Sequence, residues 1–137
     1  MEKRLKILWV SHLVPYPPKG GVLIRSHHLV TELAKYHDVD LFAFNQPRLL
    51  RAYFSSESQG LDEAVGYLKN FVGDMHVEPI PSERSKLAGW ILVFLSVFTA
   101  NPYTVNWLRS TSARAAIRDM LARKSYDLVH FDTVSLV

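Results

Sequence analysis

The sequence predicts an α/β fold in which helices cover both faces of an open parallel β-sheet. Short apolar runs alternate with stretches whose apolar residues recur at helical spacing. The first strand, helix and strand fit within about forty residues, as expected for a βαβ unit with a right-handed crossover. The length of 137 residues suits one domain with its own core. These observations together predict a Rossmann-like, doubly wound domain spanning residues 1–137.

The first half of the chain contains the βαβ unit. A strand is predicted over residues 5–10, where LKILWV is apolar and rich in branched side chains. Residues 11–21 are rich in proline and glycine and are predicted to form a loop. A helix follows over residues 22–37, and DVDLFAF predicts a strand over residues 38–44. The inward stripe of the helix is expected to contain Val22, Leu29, Val30 and Leu33.

The second half continues the alternation. Residues 45–60 are polar and are predicted to be irregular, and a helix is expected over residues 61–72. A strand over residues 75–80, a helix over 110–124 and a last strand over 127–131 complete the sheet. The inward residues are expected to be Leu61, Val65, Leu68 and Val72 in the first of these helices, and Ala113, Ile117, Met120 and Leu121 in the second.

Composition excludes several classes of protein. The chain has no cysteine, so it has neither a disulfide framework nor a thiolate metal site. Its net charge of +3 is spread along the chain, and nucleic acid is therefore not an expected partner. The apolar run near the N-terminus is too short for a signal peptide, which favours a cytoplasmic location.

The end of the sequence is apolar. Ser135, Leu136 and Val137 follow the last predicted strand directly, whereas chain termini are usually polar and lie at the surface. We therefore expect the 137 residues to be part of a longer protein with a further domain.

Candidate functional residues lie in the segments that follow the strands. In open α/β sheets, ligands bind beyond the carboxyl ends of the strands, which directs attention to residues 11–21 and 132–135. Gly20 and Gly21 precede the first helix, where free backbone N–H groups and the helix dipole favour an anion. The alternative is a glycine pair that only turns the chain. No third glycine completes GxGxxG, so the pattern does not indicate a dinucleotide site.

Several segments of the sequence resemble a known protein family. The stretch PYPPKGGVLIRSHHLVTELAKYHDVDLF has a glycine pair followed by Leu29, Leu33 and Ala34 on the helix. Asn101-Pro102-Tyr103 and YDLVHFD follow in matching order. This arrangement is similar to the N-terminal domain of family four (group 1) glycosyltransferases, and most similar to the sugar transferases of exopolysaccharide assembly.

The resemblance implies a function and a division of labour. It implies a two-domain GT-B architecture in which this domain holds the acceptor and a C-terminal domain, outside these residues, holds most of the nucleotide-sugar. The full-length protein would transfer the sugar with retention of configuration to a glycan or lipid-linked acceptor, and residues 1–137 alone would be inactive. The nucleotide-sugar is then a substrate, and no cofactor is expected.

The resemblance also suggests site residues. Gly20 and Gly21 would face the cleft near the donor phosphates, and Arg25 would pair with a phosphate or carboxylate one turn into the helix. The alternative for Arg25 is a surface position. Many family members carry a histidine where this chain has Asp132. Asp132 is therefore a candidate to accept a hydrogen bond from a sugar hydroxyl, and the difference puts the family's mechanism in question here.

The histidines do not form a metal motif. His27 and His28 are adjacent on a helix, so their side chains point about 100° apart, and no HxxxH or HExxH spacing occurs. No metal site is expected. His12 ends the first strand on the acceptor side, and His130 is expected to face the packing of the sheet.

An uncharged apolar run extends from Leu87 to Ala100. It is shorter than the about 20 residues needed to span a bilayer. One hypothesis is a peripheral contact with the inner face of the membrane, supported by flanking basic residues. The other is a core helix, or one covered by the second domain, because Trp90, Phe94 and Phe98 recur at helical spacing.

Two other functions remain open from sequence. The first is a complete, flavodoxin-like binding module without catalytic activity, which docks a partner through this apolar helix. The second is a nucleotide-binding Rossmann protein that takes NAD or FMN, although the loop lacks the glycine fingerprint.

Overall fold

The described residues form one open sheet of four parallel strands. The structure is a computed structural model that describes residues 3–83, 85–100, 109–133 and 136. The strands are β1 Lys6–Ser11, β2 Asp38–Asn45, β3 Met75–Pro79 and β4 Leu128–Phe131. Their order across the sheet is β3-β2-β1-β4. Chain order departs from spatial order after β3, because the chain crosses back over the sheet to place β4 beside β1. The predicted open parallel α/β sheet is confirmed.

The helices begin at capping residues that the sequence supplies. They are α1 Gly21–Tyr36, α2 Pro47–Arg51, α3 Glu57–Leu68, α4 Lys86–Ser96 and α5 Thr111–Arg123, with a short 3-10 turn at Pro81–Glu83. Serines cap three of them: the hydroxyls of Ser56, Ser85 and Ser110 each accept a hydrogen bond from the backbone N–H three residues on. These caps satisfy N–H groups that have no partner within the helix.

Both faces of the sheet carry helices, as predicted. On one face, α1 and α3 contribute Val30, Ala64 and Leu68 to a core with Ile7 and Trp9. On the other face, Ala113 and Met120 of α5 pack against Leu8, Val10 and Phe42. Alternate residues of β1 therefore point into two separate cores, which explains why that strand is apolar throughout.

Residues 45–60 are not irregular, so that prediction is wrong. They contain α2 and the first turn of α3. Pro47 occupies the first position of α2, where its missing N–H costs nothing. The side chain of Ser56 caps α3 and starts it earlier than the apolar spacing indicated. The polar composition of residues 45–60 did not indicate that two helices begin there.

Some predicted inward positions are exposed. On α1, Val30 is buried and Leu33 packs against the core, but Val22 and Leu29 are exposed. On α5, Ala113 and Met120 are buried, whereas Leu121 is exposed. The α1 residues that miss the core line a cleft instead. Helical spacing identified an apolar stripe without identifying which part of it meets the sheet.

The apolar helix α4 has no buried residue. Trp90, Phe94 and Phe98 are 75%, 66% and 74% exposed. The hypothesis that these residues form a core helix is therefore wrong for the part of the chain that the structure describes. Within that part, no helix has both the length and the apolarity required to cross a membrane.

A buried carboxylate ties the amino end of the sheet together. Asp40 of β2 accepts hydrogen bonds from the backbone N–H of Asp74, the ammonium of Lys124 and the hydroxyl of Tyr126, each at 2.7 Å. Burial would raise the pKa of Asp40, but these three donors outweigh it and lower the pKa. Asp40 therefore links β2 to the turn before β3 and to the segment that leads into β4.

Candidate functional site

A cleft of about 330 Å³ opens at the carboxyl end of β1 and β4. One wall is the first two turns of α1, and the opposite wall is the segment that follows β4. Its lining residues are Trp9, His12, Gly21, Val22, Arg25, Ser26, Leu29, His130 and Asp132. This is the edge at which parallel α/β sheets bind ligands.

The sheet register brings His12 and Asp132 together. Val10 of β1 lies beside Phe131 of β4, so the residues that follow both strands leave the sheet side by side. The backbone N–H of Asp132 donates to the carbonyl of Val10 at 3.1 Å and holds this exit in place. Residues 120 positions apart in sequence thereby become direct partners.

Asp132 is the centre of a hydrogen-bond network. Its Oδ1 accepts from the backbone N–H of His12 at 3.2 Å and lies 2.9 Å from His12 Nδ1. Its Oδ2 accepts from the hydroxyls of Ser11 at 2.7 Å and Ser26 at 3.3 Å. Both carboxylate oxygens are thus bound by groups from β1, the loop after it and α1.

The network keeps the Asp132 carboxyl ionised. Burial would raise its pKa, but hydrogen bonds from His12 and Ser11 outweigh burial and lower the pKa below its usual value. An anionic group at this position suits a hydrogen-bond acceptor, which was the role considered for Asp132 from sequence.

His12 is fixed on one side and open on the other. Gln46 donates to the backbone carbonyl of His12 at 2.6 Å, and Asp132 binds the ring at Nδ1. The His12 side chain is 23% exposed in the cleft. Nε2 has no hydrogen-bond partner among the described residues. An imidazole held in this way can take up or release a proton at Nε2.

The glycine pair lies at the mouth of the cleft. Gly20 is the residue before α1 and has φ of 80°, a conformation that side chains with a Cβ rarely adopt. Gly21 lines the cleft, and a Cβ there would meet open space. No side chain of the described residues caps the N-terminus of α1, so its first N–H groups have no side-chain acceptor there. Gly20 is required by its backbone conformation, and Gly21 leaves room at the cleft.

Arg25 also lines the cleft from α1. It is exposed, and no carboxylate pairs with it in the portion of the chain that the structure covers. A free guanidinium beside a helix N-terminus is suited to a phosphate or carboxylate. The placement agrees with the residue's predicted role without testing it.

The floor of the cleft is aromatic. The ring of His130 packs on Trp9, with ring centroids 4.0 Å apart, so His130 contacts the sheet as expected while also lining the cleft. The buried indole N–H of Trp9 has no hydrogen-bond partner in the described structure. An unsatisfied donor of this kind is unusual in a protein core.

The sequence predictions missed three polar contributors, namely Ser11, Ser26 and Gln46. Ser11 ends β1 and Ser26 lies on the buried face of α1. Gln46 follows β2 at the same edge of the sheet. A polar residue directly after a buried strand was the available indication, and it applies to Gln46 as it does to His12.

The remaining histidines on α1 have separate surroundings. His27 is buried, and its Nδ1 lies 3.0 Å from the carbonyl of Pro15, which anchors the proline-rich loop to α1. His28 is exposed. No group of three or more histidine or carboxylate side chains is placed to bind a metal within the described residues. The motif Asn101-Pro102-Tyr103 and residues 134–135 lie outside the described residues.

A larger cavity of about 500 Å³ lies at the opposite end of the sheet. Its charged groups largely bind one another: Arg4 pairs with Asp38, and Lys124 pairs with Asp40. His37 also lines this cavity and accepts one long hydrogen bond at Nδ1, from the backbone N–H of Leu5 at 3.4 Å. Among the described residues, its ring is not held by a carboxylate that is itself bound by further donors. We therefore place the candidate site at the smaller cleft, where His12 has that arrangement.

No model of a known protein family matches this chain, and neither a curated protein nor a solved structure matches it. Function is therefore inferred from the geometry of the cleft and the pattern of its residues.

Proposed function

We propose that this chain is the acceptor-side domain of a nucleotide-sugar-dependent glycosyltransferase. The observation that carries the proposal is the cleft at the carboxyl end of the sheet, where His12, Asp132 and Arg25 meet the uncapped N-terminus of α1. The resemblance of the loop and α1 to group 1 transferases supports the same function. The full-length protein would transfer a sugar to a glycan or lipid-linked acceptor in exopolysaccharide assembly.

The donor side of the cleft is assigned to Gly20, Gly21 and Arg25. A nucleotide-sugar carries a diphosphate, and the helix N-terminus and the guanidinium both favour such an anion. The second domain, outside these 137 residues, would hold most of the donor, so this domain alone would not turn it over. The proposal needs neither a cofactor nor a metal.

The acceptor side is assigned to the deeper part of the cleft. Ser26, His12 and Asp132 supply polar groups there, while Trp9 and Leu29 supply apolar surface. Such a combination suits a sugar, because polar groups fix its hydroxyls and apolar surface covers its ring faces. The resemblance implies that the anomeric configuration is retained.

A lipid-linked acceptor would bring the protein to the inner face of the membrane. Helix α4 and the turn after it support a peripheral contact. Trp90 and Phe94 of the helix and Phe98 beyond it are exposed, and Lys86 begins the helix. We expect the chain to cosediment with anionic phospholipid vesicles and the double variant Trp90→Ser/Phe94→Ser to lose this binding. Tyr36→Ser, which removes an equally exposed aromatic ring elsewhere, is the control.

The alternative function is a binding module that docks a protein through α4. Most of the large apolar side chains of this helix, including Leu87, Trp90 and Leu95, are exposed, which favours this alternative. It predicts a stable dimer or complex that forms without nucleotide-sugar and is lost in the same double variant. Light scattering of the purified chain distinguishes a protein partner from a lipid surface.

The first experiment is the mass of the native polypeptide in its source cell. The proposal expects a chain at least roughly twice this length, since a second domain adds about 100–200 residues. Intact mass spectrometry or an immunoblot measures it. A native chain of 15.7 kDa contradicts the transferase and favours the binding module.

The second experiment measures sugar transfer by the native full-length protein. Loss of a charged hydrogen bond to donor phosphate corresponds to about 1.5–3 kcal/mol, so Arg25→Gln should lower kcat/KM by roughly 10- to 100-fold. Arg118→Gln, an exposed arginine on α5, is the matched control and should leave transfer unchanged. Equal rates for both variants contradict the assignment of Arg25.

A further inference from the structure

The contact between His12 and Asp132 sets the position of a proton. His12 Nδ1 lies 2.9 Å from an oxygen of a carboxylate whose low pKa keeps it an acceptor only. The neutral imidazole therefore carries its proton on Nδ1, and Nε2 carries the lone pair. Nε2 of His12 has no hydrogen-bond partner among the described residues, so its lone pair is free to accept a proton.

The ring is held in place from several directions. Asp132 binds both the backbone N–H and the ring of His12, and Gln46 holds its carbonyl at 2.6 Å. Ser11 and Ser26 in turn hold the second oxygen of Asp132. A base oriented by a carboxylate that is itself fixed is the arrangement that activates hydroxyl groups in enzymes.

We propose that His12 is the general base for the acceptor hydroxyl and that Asp132 is its positioning residue, an inference that rests on the glycosyltransferase function proposed above. His12 Nε2 takes the hydroxyl proton as the acceptor oxygen forms a bond to the anomeric carbon. The bond between that carbon and the donor's diphosphate oxygen breaks, and the diphosphate leaves with the electron pair. Asp132 stabilises the imidazolium that forms.

This chemistry has a stereochemical consequence. A base that activates the incoming hydroxyl opposite the leaving group produces one in-line displacement, which inverts the anomeric carbon. The proposal therefore departs from the retention that the family resemblance implies. The departure coincides with Asp132, the position at which this chain differs from many members of that family.

The first test needs only the 137-residue chain. Two-bond ¹H–¹⁵N correlation spectra report which ring nitrogen of each histidine carries the proton. We expect His12 to be protonated on Nδ1 when neutral. His76 provides the opposite internal control, because its Nε2 lies 3.1 Å from Glu78, which predicts the proton on Nε2. A neutral His12 with its proton on Nε2 overturns the proposal.

The second test uses the native full-length protein. His12→Gln should lower kcat by roughly 10²- to 10⁴-fold while the KM for donor stays unchanged, since general-base catalysis contributes about that much. The acid limb of the kcat/KM profile should disappear in this variant. Transfer by His76→Gln, in which the other histidine–carboxylate pair is broken, should match the wild type. A wild-type kcat in His12→Gln overturns the proposal.

The positioning role of Asp132 has its own measurement. Asp132→Asn should lower kcat and move the acid limb of the rate profile to lower pH, because the imidazolium loses its anionic partner. Arg25 of α1 and His130 of β4 also line the cleft, so both are kept unchanged in this comparison. An acid limb that does not move overturns the role of Asp132.

The configuration of the product separates this inference from the proposed function. NMR of the product of the native protein should give the inverted anomer. A retained anomer, with transfer intact, overturns the general-base proposal and leaves the glycosyltransferase function standing. Absence of transfer from any nucleotide-sugar overturns both.

Discussion

Two buried aspartates, Asp40 and Asp132, lie at opposite ends of the same sheet. Both have a lowered pKa, because hydrogen-bond donors outweigh the effect of burial. The partners of Asp40 are a backbone N–H, an ammonium and a phenol, and every one of these donors is directed at the carboxylate. Asp132 is bound by two hydroxyls, a backbone N–H and the imidazole of His12, whose Nε2 has no partner among the described residues.

The two carboxylates therefore differ in the nature of their partners rather than in burial or charge. Asp40 accepts hydrogen bonds that join three segments of the chain, and we therefore expect it to contribute to stability. Asp132 binds the ring of His12, and both residues line the cleft. The larger cavity lies beside Asp40, and the smaller cleft lies beside Asp132.

The largest expected effect is the contrast between Asp40→Asn and Asp132→Asn in stability. At Asp40, an amide nitrogen would face the ammonium of Lys124, which cannot accept a hydrogen bond. At Asp132, the amide would face the hydroxyls of Ser11 and Ser26, which can rotate and accept.

We expect Asp40→Asn to lower the free energy of unfolding by roughly 1.5–3 kcal/mol. This is less than the about 3–5 kcal/mol lost when a fully buried ion pair is broken, because Lys124 is half exposed. Asp132→Asn should lower it by about 1 kcal/mol or less. Urea unfolding of the 137-residue chain at neutral pH measures both. Equal losses would show that the two carboxylates are structural to the same degree.

A second way to sharpen the comparison is to crowd Asp40 rather than replace it. A Cβ on Gly73 would lie 2.7 Å from Asp40 Oδ1 and displace the carboxylate from its partners. Gly73→Ala should therefore destabilise the fold by roughly 1–2 kcal/mol. Gly66→Ala, within α3 and with open space around the new Cβ, should stabilise it by about 0.5–1 kcal/mol. The same urea titration compares the two, and a neutral Gly73→Ala would mean that Asp40 tolerates displacement.

The third prediction concerns alkaline pH. Burial, followed by the hydrogen bond to Asp40, raises the pKa of Tyr126 in the folded protein. The contribution of this tyrosine is present in full below the unfolded value of about 10 and is lost as pH rises toward the folded value.

Tyr126→Phe should accordingly cost about 1 kcal/mol at pH 8 and less at pH 11, where only the wild type still loses stability from this group. Thermal unfolding at the two pH values measures the difference. Tyr36→Phe, an exposed tyrosine, is the control. A gap that widens with pH would contradict the assigned bond.

The sequence was sufficient to predict the sheet but only part of the candidate site. Alternating apolar runs predicted the strands, because strands buried on both faces must be apolar. The segments after the strands contain several of the residues that line the smaller cleft. The pairing of His12 with Asp132 was not predicted, since it depends on the register of β1 beside β4. Helical spacing placed Val22 in the core, whereas the structure has it exposed beside the cleft, because nothing in the periodicity tells the two apart.

The smallest expected effect distinguishes the members of the Asp132 network from one another. Ser26 donates to Asp132 at 3.3 Å, a longer contact than the 2.7 Å from Ser11. Ser26→Ala should therefore change the free energy of unfolding by less than about 0.5 kcal/mol and leave the proton of His12 on Nδ1. Ser11→Ala removes the shorter bond from a fully buried hydroxyl and should cost about 1 kcal/mol. If the two variants are equally destabilised, the carboxylate is held by Ser26 as firmly as by Ser11, and α1 takes a larger part in orienting His12 than the distances indicate.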